Sequence, residues 1–211
     1  MKFAEKRIRL LFSELRPELL KAHGEIEQQV KSDSSVVTEM DLLVENRLKT
    51  VLNELDPTIG FSGEETGVDY TQKTFWLADP IDGTESFIRG LPFSSNMVAL
   101  IDNGEPVMSV IYNFFLDEYF LAIKGHGATK NGHPIRVSDR PLSRSFVIAG
   151  HKLGLEGFVN AIPRLSEKVQ GLPQMYSSGY EFSSVASGRI DGFIAWNKDA
   201  KAWDRAPGTL L

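Results

Sequence analysis

Residues 76–90 read WLADPIDGTESFIRG and contain the clearest structural signal in the chain. The apolar run that opens this stretch predicts a buried strand. The strand must end near Pro80, because proline fixes φ and has no backbone N–H. Gly83 can adopt positive φ and so permits a sharp turn directly afterwards. Asp79 and Asp82 are therefore expected at the end of a strand, where α/β folds commonly bind their ligands.

The same stretch offers several kinds of oxygen ligand to a metal ion. They are the Asp79 and Asp82 carboxylates, the Thr84 hydroxyl and the Ile81 carbonyl. Such hard donors suit Mg2+ or Ca2+ and do not suit a soft metal. The sequence Asp-Pro-x-Asp-Gly is also a good turn, so the motif alone leaves a metal site and a simple turn both open.

Further acidic residues occur in three other segments. Glu64 and Glu65 follow a short predicted strand, and Asp204 precedes an apolar helix. Asp41 lies three residues after Thr38, which is the spacing of a helix capping box and, for this pair alone, the simpler interpretation. Taken alone, Glu64 and Glu65 would form a solvated turn, and Asp204 would be an N-cap. Their occurrence together in one chain favours a shared acidic site.

The composition excludes several classes of function. The 211 residues carry a net charge of -5 and no cluster of Lys and Arg, so we expect no nucleic acid polymer as a partner. The absence of cysteine rules out disulfides and thiolate chemistry. No segment approaches the ~20 apolar residues of a membrane span, and the N-terminus does not resemble a signal peptide. We therefore expect a cytoplasmic protein with no membrane partner.

The hydrophobic pattern changes along the chain. Apolar residues spaced mostly four apart predict a helix over 3–30, with a kink or restart at Pro17. A second helix is predicted from Thr38 to Leu55. From Phe75 onward, short apolar segments separated by turns predict an antiparallel meander.

The second half of the chain is predicted to be organised differently. A glycine-rich loop is expected over 124–130, and the best candidate for a boundary is 138–143. Beyond it, strands and helices alternate, which predicts an α+β arrangement leading into α/β. We thus expect an N-terminal subdomain over 1–140, with most of the acidic residues, and a C-terminal subdomain over 141–211.

These segments resemble one known family. The resemblance rests on GEE, WLADPIDGTESF, GHGATKNGHPI, ASGRIDGF and WDRAPG, in this order and spacing, and covers about residues 5–211. The chain resembles the inositol monophosphatase family, which comprises Mg2+-dependent, lithium-sensitive phosphoric monoester hydrolases. The resemblance implies a layered αβαβα sandwich. It also implies a substrate such as an inositol monophosphate, although relatives act on histidinol phosphate, fructose bisphosphate or 3'-phosphoadenosine nucleotides.

The resemblance implies a ligand set for two to three Mg2+ ions. The metal ligands would be Glu64, Asp79, the Ile81 carbonyl, Asp82 and Asp204. Asp79 would bridge two ions, and a third, weaker ion would lie near Glu64. Glu65 would support these ligands from behind.

The resemblance also implies roles in catalysis and substrate binding. Thr84, oriented by Asp41, would position the attacking water, with Glu64 as the third catalytic residue. The backbone amides of Gly83 and Thr84 would bind the phosphate group. Asp204 and Asn197 would contact the rest of the substrate.

The chain departs from the usual family pattern at three places. Ser86 stands where the family often has asparagine. The carboxylate that many inositol phosphatases direct at a sugar hydroxyl is absent, with Ala195 or Asn197 in its place. We therefore expect a broad phosphomonoesterase that accepts inositol 1-phosphate without strongly preferring it. Family members usually continue beyond the last helix, so we expect Leu211 to end a helix beside a sheet that lacks its last strands. The protein is also a candidate homodimer.

Three alternatives remain open at this stage. A phosphatase with a covalent aspartyl intermediate needs carboxylates at i and i+2, whereas Asp79 and Asp82 are i and i+3. A histidinol-phosphate or nucleotide 3'-phosphate phosphatase of the same family would share all the metal ligands. A catalytically inactive metal-binding or regulatory module would not need the full set of acidic residues and Thr84.

Overall fold

The computed structural model describes residues 2–30, 36–69, 71–151, 156–196 and 201–211. Its helices are α1 (Lys2–Ala22), α2 (Glu39–Leu55), α3 (Thr84–Ile88), α4 (Glu156–Ser166), α5 (Ser178–Ala186) and α6 (Ala202–Leu210). Its strands are β1 (Gln29–Val30), β2 (Val36–Val37), β3 (Gly60–Gly63), β4 (Thr74–Asp82), β5 (Ser95–Asp102), β6 (Glu105–Asn113), β7 (Glu118–Ile123), β8 (Gly127–Lys130), β9 (His133–Pro134), β10 (Val147–His151) and β11 (Gly192–Trp196). The predicted succession of helices, strands and then alternating elements is confirmed.

The main sheet contains β3 to β9 in chain order. β3 runs parallel to β4, and the later neighbours pair antiparallel. Asn-Gly turns at 103–104 and 131–132 close two of the hairpins, and both residues of each turn have positive φ, as this turn type requires. The predicted meander is thus confirmed. The predicted loop over 124–130 was partly wrong, because Gly125 and Gly127 make the turn and β8 then pairs with β7.

Helices α1 and α2 cover one face of this sheet, because each helix has one apolar stripe. The buried stripe residues are Ile8, Leu11, Phe12, Leu15 and Leu19 in α1 and Val44, Leu48 and Leu52 in α2. Helix α1 runs through Pro17 and ends at Ala22, well before the predicted end at Val30. Gly24, with φ of 76°, follows directly and turns the chain out of helical geometry.

Helices α5 and α6 cover the opposite face of the sheet. Helix α6 contacts β4, β5 and β6, while α5 contacts β5 and β6 on one side and β11 on the other. A side chain at Gly179 would collide with Ser95 and Met97 of β5, so this glycine permits the close approach of α5. Beyond α5, β10 and β11 form a parallel pair joined by a crossover that contains α4 and α5. The predicted α/β sandwich is confirmed.

The C-terminal part is described over fewer residues. There, the second sheet consists of β10 and β11, and α6 ends at Leu210, beside the last residue of the chain. The division at residue 140 stays a prediction. Near this point Asp191 accepts hydrogen bonds from the Arg140 side chain and the Phe146 amide, at 2.6 and 2.7 Å. No helix in the described ranges is long and apolar enough to cross a membrane.

Candidate active site

A bulge at the end of β4 brings Asp79 and Asp82 to one side of the sheet. Residues i and i+3 of a regular strand point to opposite faces. Here Asp79 pairs with Met97 and Asp82 with Ser95, so β4 has one residue more than β5 between these pairs. The extra residue restores the same side for both carboxylates. The side chain of Asn96 donates to the Pro80 carbonyl at 2.5 Å and so satisfies the backbone group that the bulge removes from the ladder.

Gly83 makes the turn that follows β4. Its φ is 82°, and a Cβ at this position would lie 2.7 Å from the Phe93 carbonyl oxygen. Both the backbone conformation and the lack of space therefore require glycine here. Helix α3 begins at the next residue, Thr84, as the predicted turn implied.

The parallel pairing of β3 with β4 places Glu64 beside Asp79. Gly63 is in register with Ala78, and the Glu64 amide donates to the Ala78 carbonyl at 3.1 Å. Glu64 thus extends the strand pairing by one residue. Its position relative to Asp79 is fixed by the backbone.

Asp41 serves the helix and the site with different oxygens. It is buried at the start of α2, where Oδ2 accepts from the Thr38 amide at 2.7 Å and from the Thr38 hydroxyl at 2.6 Å. Oδ1 lies 3.4 Å from the Thr84 hydroxyl oxygen, which is also 3.0 Å from the Ile81 carbonyl oxygen. Because a hydroxyl has one hydrogen, Thr84 donates to one of these acceptors at a time. The capping interpretation and the active-site interpretation of Asp41 are therefore compatible.

Asp82 is held by the N-terminus of α5. Its Oδ1 accepts from the Ser178 amide at 3.0 Å. Its Oδ2 accepts from the Gly179 amide at 2.9 Å, from the Ser95 hydroxyl at 3.1 Å and from the Ser177 hydroxyl. These donors could not be predicted from the sequence, because they lie some hundred positions away along the chain. Their only local signal is a serine pair before a predicted helix, which is typical of an N-cap.

Burial and like charges raise the pKa of Asp79 well above its usual value. Burial has the largest effect, followed by the charges of four neighbours: Glu64, Asp82, Asp204 and Asp41. One oxygen of Asp79, Oδ1, is buried and has no hydrogen-bond partner. A buried carboxylate oxygen without a donor is costly unless a cation or another donor compensates it. The predicted acidic residues thus act on one point in space.

The same causes affect the neighbouring carboxylates. Burial raises the pKa of Asp82 to about 6, against the effect of the hydrogen bonds from Ser177 and the amides of α5. Burial also raises the pKa of Asp204, whose Oδ2 accepts from the Lys201 amide at 2.8 Å. Without a cation, the site holds more negative charge than its protein donors offset.

These residues fit a hard divalent cation in their chemistry. All the predicted side-chain ligands supply carboxylate oxygens, and Asp79 Oδ1 has no other partner. Within the described ranges, no three acidic or histidine side chains converge closely enough to form a ready-made metal cage. The predicted ligands do not converge into such a cage because hydrogen bonds orient the Asp82 and Asp204 carboxylates toward protein amides. Asp82 Oδ1 keeps capacity for a cation, since a carboxylate oxygen accepts two bonds.

Asn197 and Glu65 are the two remaining predicted site residues. Asn197, a predicted substrate contact, lies outside the described residues. The Glu65 amide donates to Glu45, a buried residue that the sequence analysis did not single out. A second residue it missed is Glu181, buried in α5, where burial and the charge of Asp82 raise its pKa to about 7.

The double role of Asp41 leads to a testable prediction. We expect Thr84→Ala to lower kcat by about 10²-fold. Little stability should be lost, because the Thr84 hydroxyl donates to groups of the site, Asp41 or the Ile81 carbonyl. Asp41→Asn should lower kcat and also reduce stability by ~1 kcal/mol, because it weakens the cap. The matched control is Thr38→Ala, which removes the hydroxyl that donates to Asp41 Oδ2 and leaves Asp41 Oδ1 and Thr84 unchanged. Kinetics and thermal melts of the three variants measure both effects; a kcat loss in Thr38→Ala equal to that of Asp41→Asn would contradict a direct role of Asp41.

Comparisons with known proteins find relatives over the whole chain. The model of the inositol monophosphatase family matches residues 1–211. An inositol-1-monophosphatase from Rhizobium meliloti (strain 1021) is 34% identical over 205 residues, which cover 92% of this chain and 76% of the relative. A Nus factor SuhB from Xylella fastidiosa is 30% identical, covering 86% of this chain and 67% of the relative. Among solved structures, an IMPase from Thermotoga maritima has a TM-score of 0.86 at 28% identity, covering 99% of this chain and 80% of that one.

Proposed function

Since this chain belongs to the inositol monophosphatase family, we propose that it hydrolyses a small phosphate monoester with the help of Mg2+. The family consists of metal-dependent phosphoric monoester hydrolases, and the predicted family and enzyme class are confirmed. One observation carries the proposal for this chain. Asp79 is buried with an unpartnered oxygen, and four other carboxylates raise its pKa. Such an arrangement is stable when a cation neutralises it.

We assign the cations to the residues that surround Asp79. Two to three Mg2+ ions would be held by Glu64, Asp79, the Ile81 carbonyl, Asp82 and Asp204. Bound divalent cations supply a lowered pKa for water and neutralise the charge on the phosphate group. Glu65 belongs to the turn that carries Glu64 and would support that ligand.

The remaining residues of the site would bind and orient the reactants. The Thr84 hydroxyl, between Asp41 and the Ile81 carbonyl, is suited to hold the attacking water. A proton from this water would pass toward the surrounding carboxylates, and Glu64, one residue after β3, is the carboxylate that we propose accepts it. The amides of Gly83 and of Thr84, the first residue of α3, would bind phosphate oxygens. Asp204, in α6, would complete the site.

The substrate is proposed at the level of its chemical class. The residues around Asp79 contact the phosphate end, which is common to all phosphate monoesters. Discrimination between alcohols would come from the segment after β11, including Asn197. A neutral residue there selects less strongly among polyols than a buried carboxylate. We therefore propose a broad phosphomonoesterase that accepts inositol 1-phosphate without a strong preference.

A panel of phosphate monoesters tests this proposal. Phosphate release from inositol 1-phosphate, glycerol 2-phosphate, histidinol phosphate and a nucleoside 3'-phosphate is measured with Mg2+ and with a chelator. We expect hydrolysis of several substrates, all requiring Mg2+ and inhibited by Li+, a general property of the family. A kcat/KM preference for inositol 1-phosphate above ~100-fold would contradict the broad specificity. The absence of Mg2+-dependent release from every substrate would refute the function itself.

The same assay separates direct attack by water from a covalent route. The hydrogen bonds on both oxygens of Asp82 make it a poor nucleophile, and the pKa of Asp79 is raised well above its usual value. No labelled phosphate should therefore remain on the protein after an acid quench. Labelled phosphate on Asp79 or Asp82 would establish the covalent route instead.

A further inference from the structure

The charge of Glu45 is buried beside the site and has no part in the function proposed so far. Glu45 lies one helical turn after Asp41 in α2, so both carboxylates point from the same face of the helix. Only 2% of its surface is exposed. Buried glutamates are rare unless hydrogen bonds or charges compensate them.

The compensation for Glu45 comes from the turn that follows β3. Oε2 accepts from the Glu65 amide at 2.9 Å, and Oε1 accepts from the Thr66 amide at 2.8 Å. The Thr66 hydroxyl also donates to this carboxylate. A side chain at Gly63 would collide with Glu45, so the carboxylate is packed directly against the turn.

The backbone of Glu64 is consequently fixed on both sides. The turn closes on itself through hydrogen bonds between the amides and carbonyls of Gly63 and Gly67, at 2.8 and 3.3 Å. Before its apex the Glu64 amide is bound to the Ala78 carbonyl of β4, and at its apex the next two amides are bound to Glu45. Between these anchors the chain has little freedom to rotate Glu64 away from Asp79.

Stability alone does not account for a carboxylate at position 45. Burial raises its pKa, and the nearby charge of Glu65 acts in the same direction. An apolar residue at this place in α2 would avoid both costs but would leave the Glu65 and Thr66 amides without this acceptor, so the carboxylate is needed to hold the turn.

We propose that Glu45 is a positioning residue, which holds the turn 63–67 so that Glu64 faces the cation site at Asp79. This inference rests on the proposed function, since it assumes that Glu64 binds a cation. Residues that orient metal ligands from behind typically change metal affinity or activity by 10–100-fold when replaced. The effect of losing Glu45 should therefore appear in cation binding.

The test compares Glu45→Gln with Glu54→Gln, an exposed glutamate on the same helix that forms a 3.6 Å ion pair with Arg7. Glutamine keeps the size of Glu45, but its NH2 group faces an amide donor and cannot accept from it. We expect Mn2+ binding, measured by calorimetry, to weaken by ~10-fold or more in Glu45→Gln. The Mg2+ concentration for half-maximal turnover should rise equally, and Glu54→Gln should match the wild type in both. An unchanged Mn2+ affinity in Glu45→Gln, with only a lower melting temperature, would overturn the proposal.

A second variant guards against misfolding of the first. Thr66→Val removes the hydroxyl donor from an exposed position and leaves both amide bonds to Glu45 intact. We expect a smaller loss of Mn2+ affinity, of a few-fold, in a protein that melts normally; no loss in a well-folded Thr66→Val would count against the proposal.

Failure of the proposed function would look different. If the wild type binds Mn2+ but hydrolyses no phosphate monoester, the function is refuted, and the calorimetric comparison still decides the role of Glu45. If the wild type binds no Mn2+, both are refuted.

Discussion

Replacing Asp79 by asparagine is expected to reduce Mg2+-dependent phosphate release by on the order of 10³-fold. Bound cations supply several kcal/mol of charge stabilisation to the transition state, and each 1.36 kcal/mol is tenfold in rate. Asp79 is the carboxylate on which the charges of four others act, so its loss affects the whole site. Stability in the absence of metal should stay unchanged or rise, because one of several mutually repelling charges is removed. Phosphate release against Mg2+ concentration and thermal melts in chelator measure the two effects.

The control for this variant is Asp102→Asn. Asp102 lies at the other end of the β4–β5 pair, where it accepts from the Thr74 hydroxyl at 2.8 Å. It should leave phosphate release unchanged. Near-normal turnover of Asp79→Asn at modest Mg2+ would show that the metal assignment is wrong.

Two related variants separate the loss of cation binding from the loss of structural stability. Glu64→Gln should resemble Asp79→Asn, with lost turnover and a normal melting temperature. Asp82→Asn should lose turnover and also ~1–3 kcal/mol of stability, because an NH2 group would face the amides of Ser178 or Gly179.

Removal of divalent cations is expected to make the stability of the protein fall with rising pH. Burial raises the folded-state pKa of Asp82 to about 6 and that of Glu181 to about 7, and it raises the pKa of Asp79 well above its usual value. Carboxyl groups with raised pKa values contribute stability that is fully present below their unfolded pKa and is lost as pH rises through the folded pKa. In chelator, we expect a loss of a few kcal/mol between about pH 5 and about pH 8.

Other carboxylates have lowered pKa values and affect stability in the opposite direction, but only at pH values below this window. Hydrogen bonds to Asp191, and to Glu118 from Arg189 and Lys130, lower the pKa of both groups. Their contribution is lost only as pH falls through these low values, below the window. Thermal melts with chelator and with Mg2+ at both ends of the window measure the effect.

Mg2+ should restore most of the stability at the alkaline end, because it binds the ionised carboxylates. Glu181→Gln should flatten the part of the pH dependence near 7. Stability that is constant with pH in chelator, or that rises, would contradict the account of the buried charges.

The sequence predicts the turn after β4 well, because its signals are local, but β4 runs through Pro80 and ends at Asp82, two residues later than expected. Pro80 ends regular pairing, Gly83 permits the turn, and the apolar run before them requires burial. The sequence does not predict the direction in which the two carboxylates point. Their spacing in a regular strand would put Asp79 and Asp82 on opposite faces, and only the bulge in the pairing with β5 places them together.

Contacts across the chain account for the rest of what the sequence could not predict. Asp82 binds the N-terminus of α5, and no local pattern connects these segments. Glu45 did leave a readable signal, because it lies four residues after Asp41 on the buried face of α2. The end of α1 was predicted wrongly from the apolar spacing, which continues to Val30. The helix ends at Ala22, because Gly24 adopts a left-handed conformation.

A crystal structure with Mn2+ and phosphate would show directly whether Asp79 binds a cation. Mn2+ prefers the same oxygen ligands as Mg2+ and is located by its anomalous scattering. We expect an anomalous peak in direct contact with Asp79 Oδ1, the unpartnered oxygen, with Glu64 as a further ligand and phosphate beside the Gly83–Thr84 turn. Mn2+ bound elsewhere, with Asp79 Oδ1 still without a partner in a protein that hydrolyses phosphate monoesters, would contradict it.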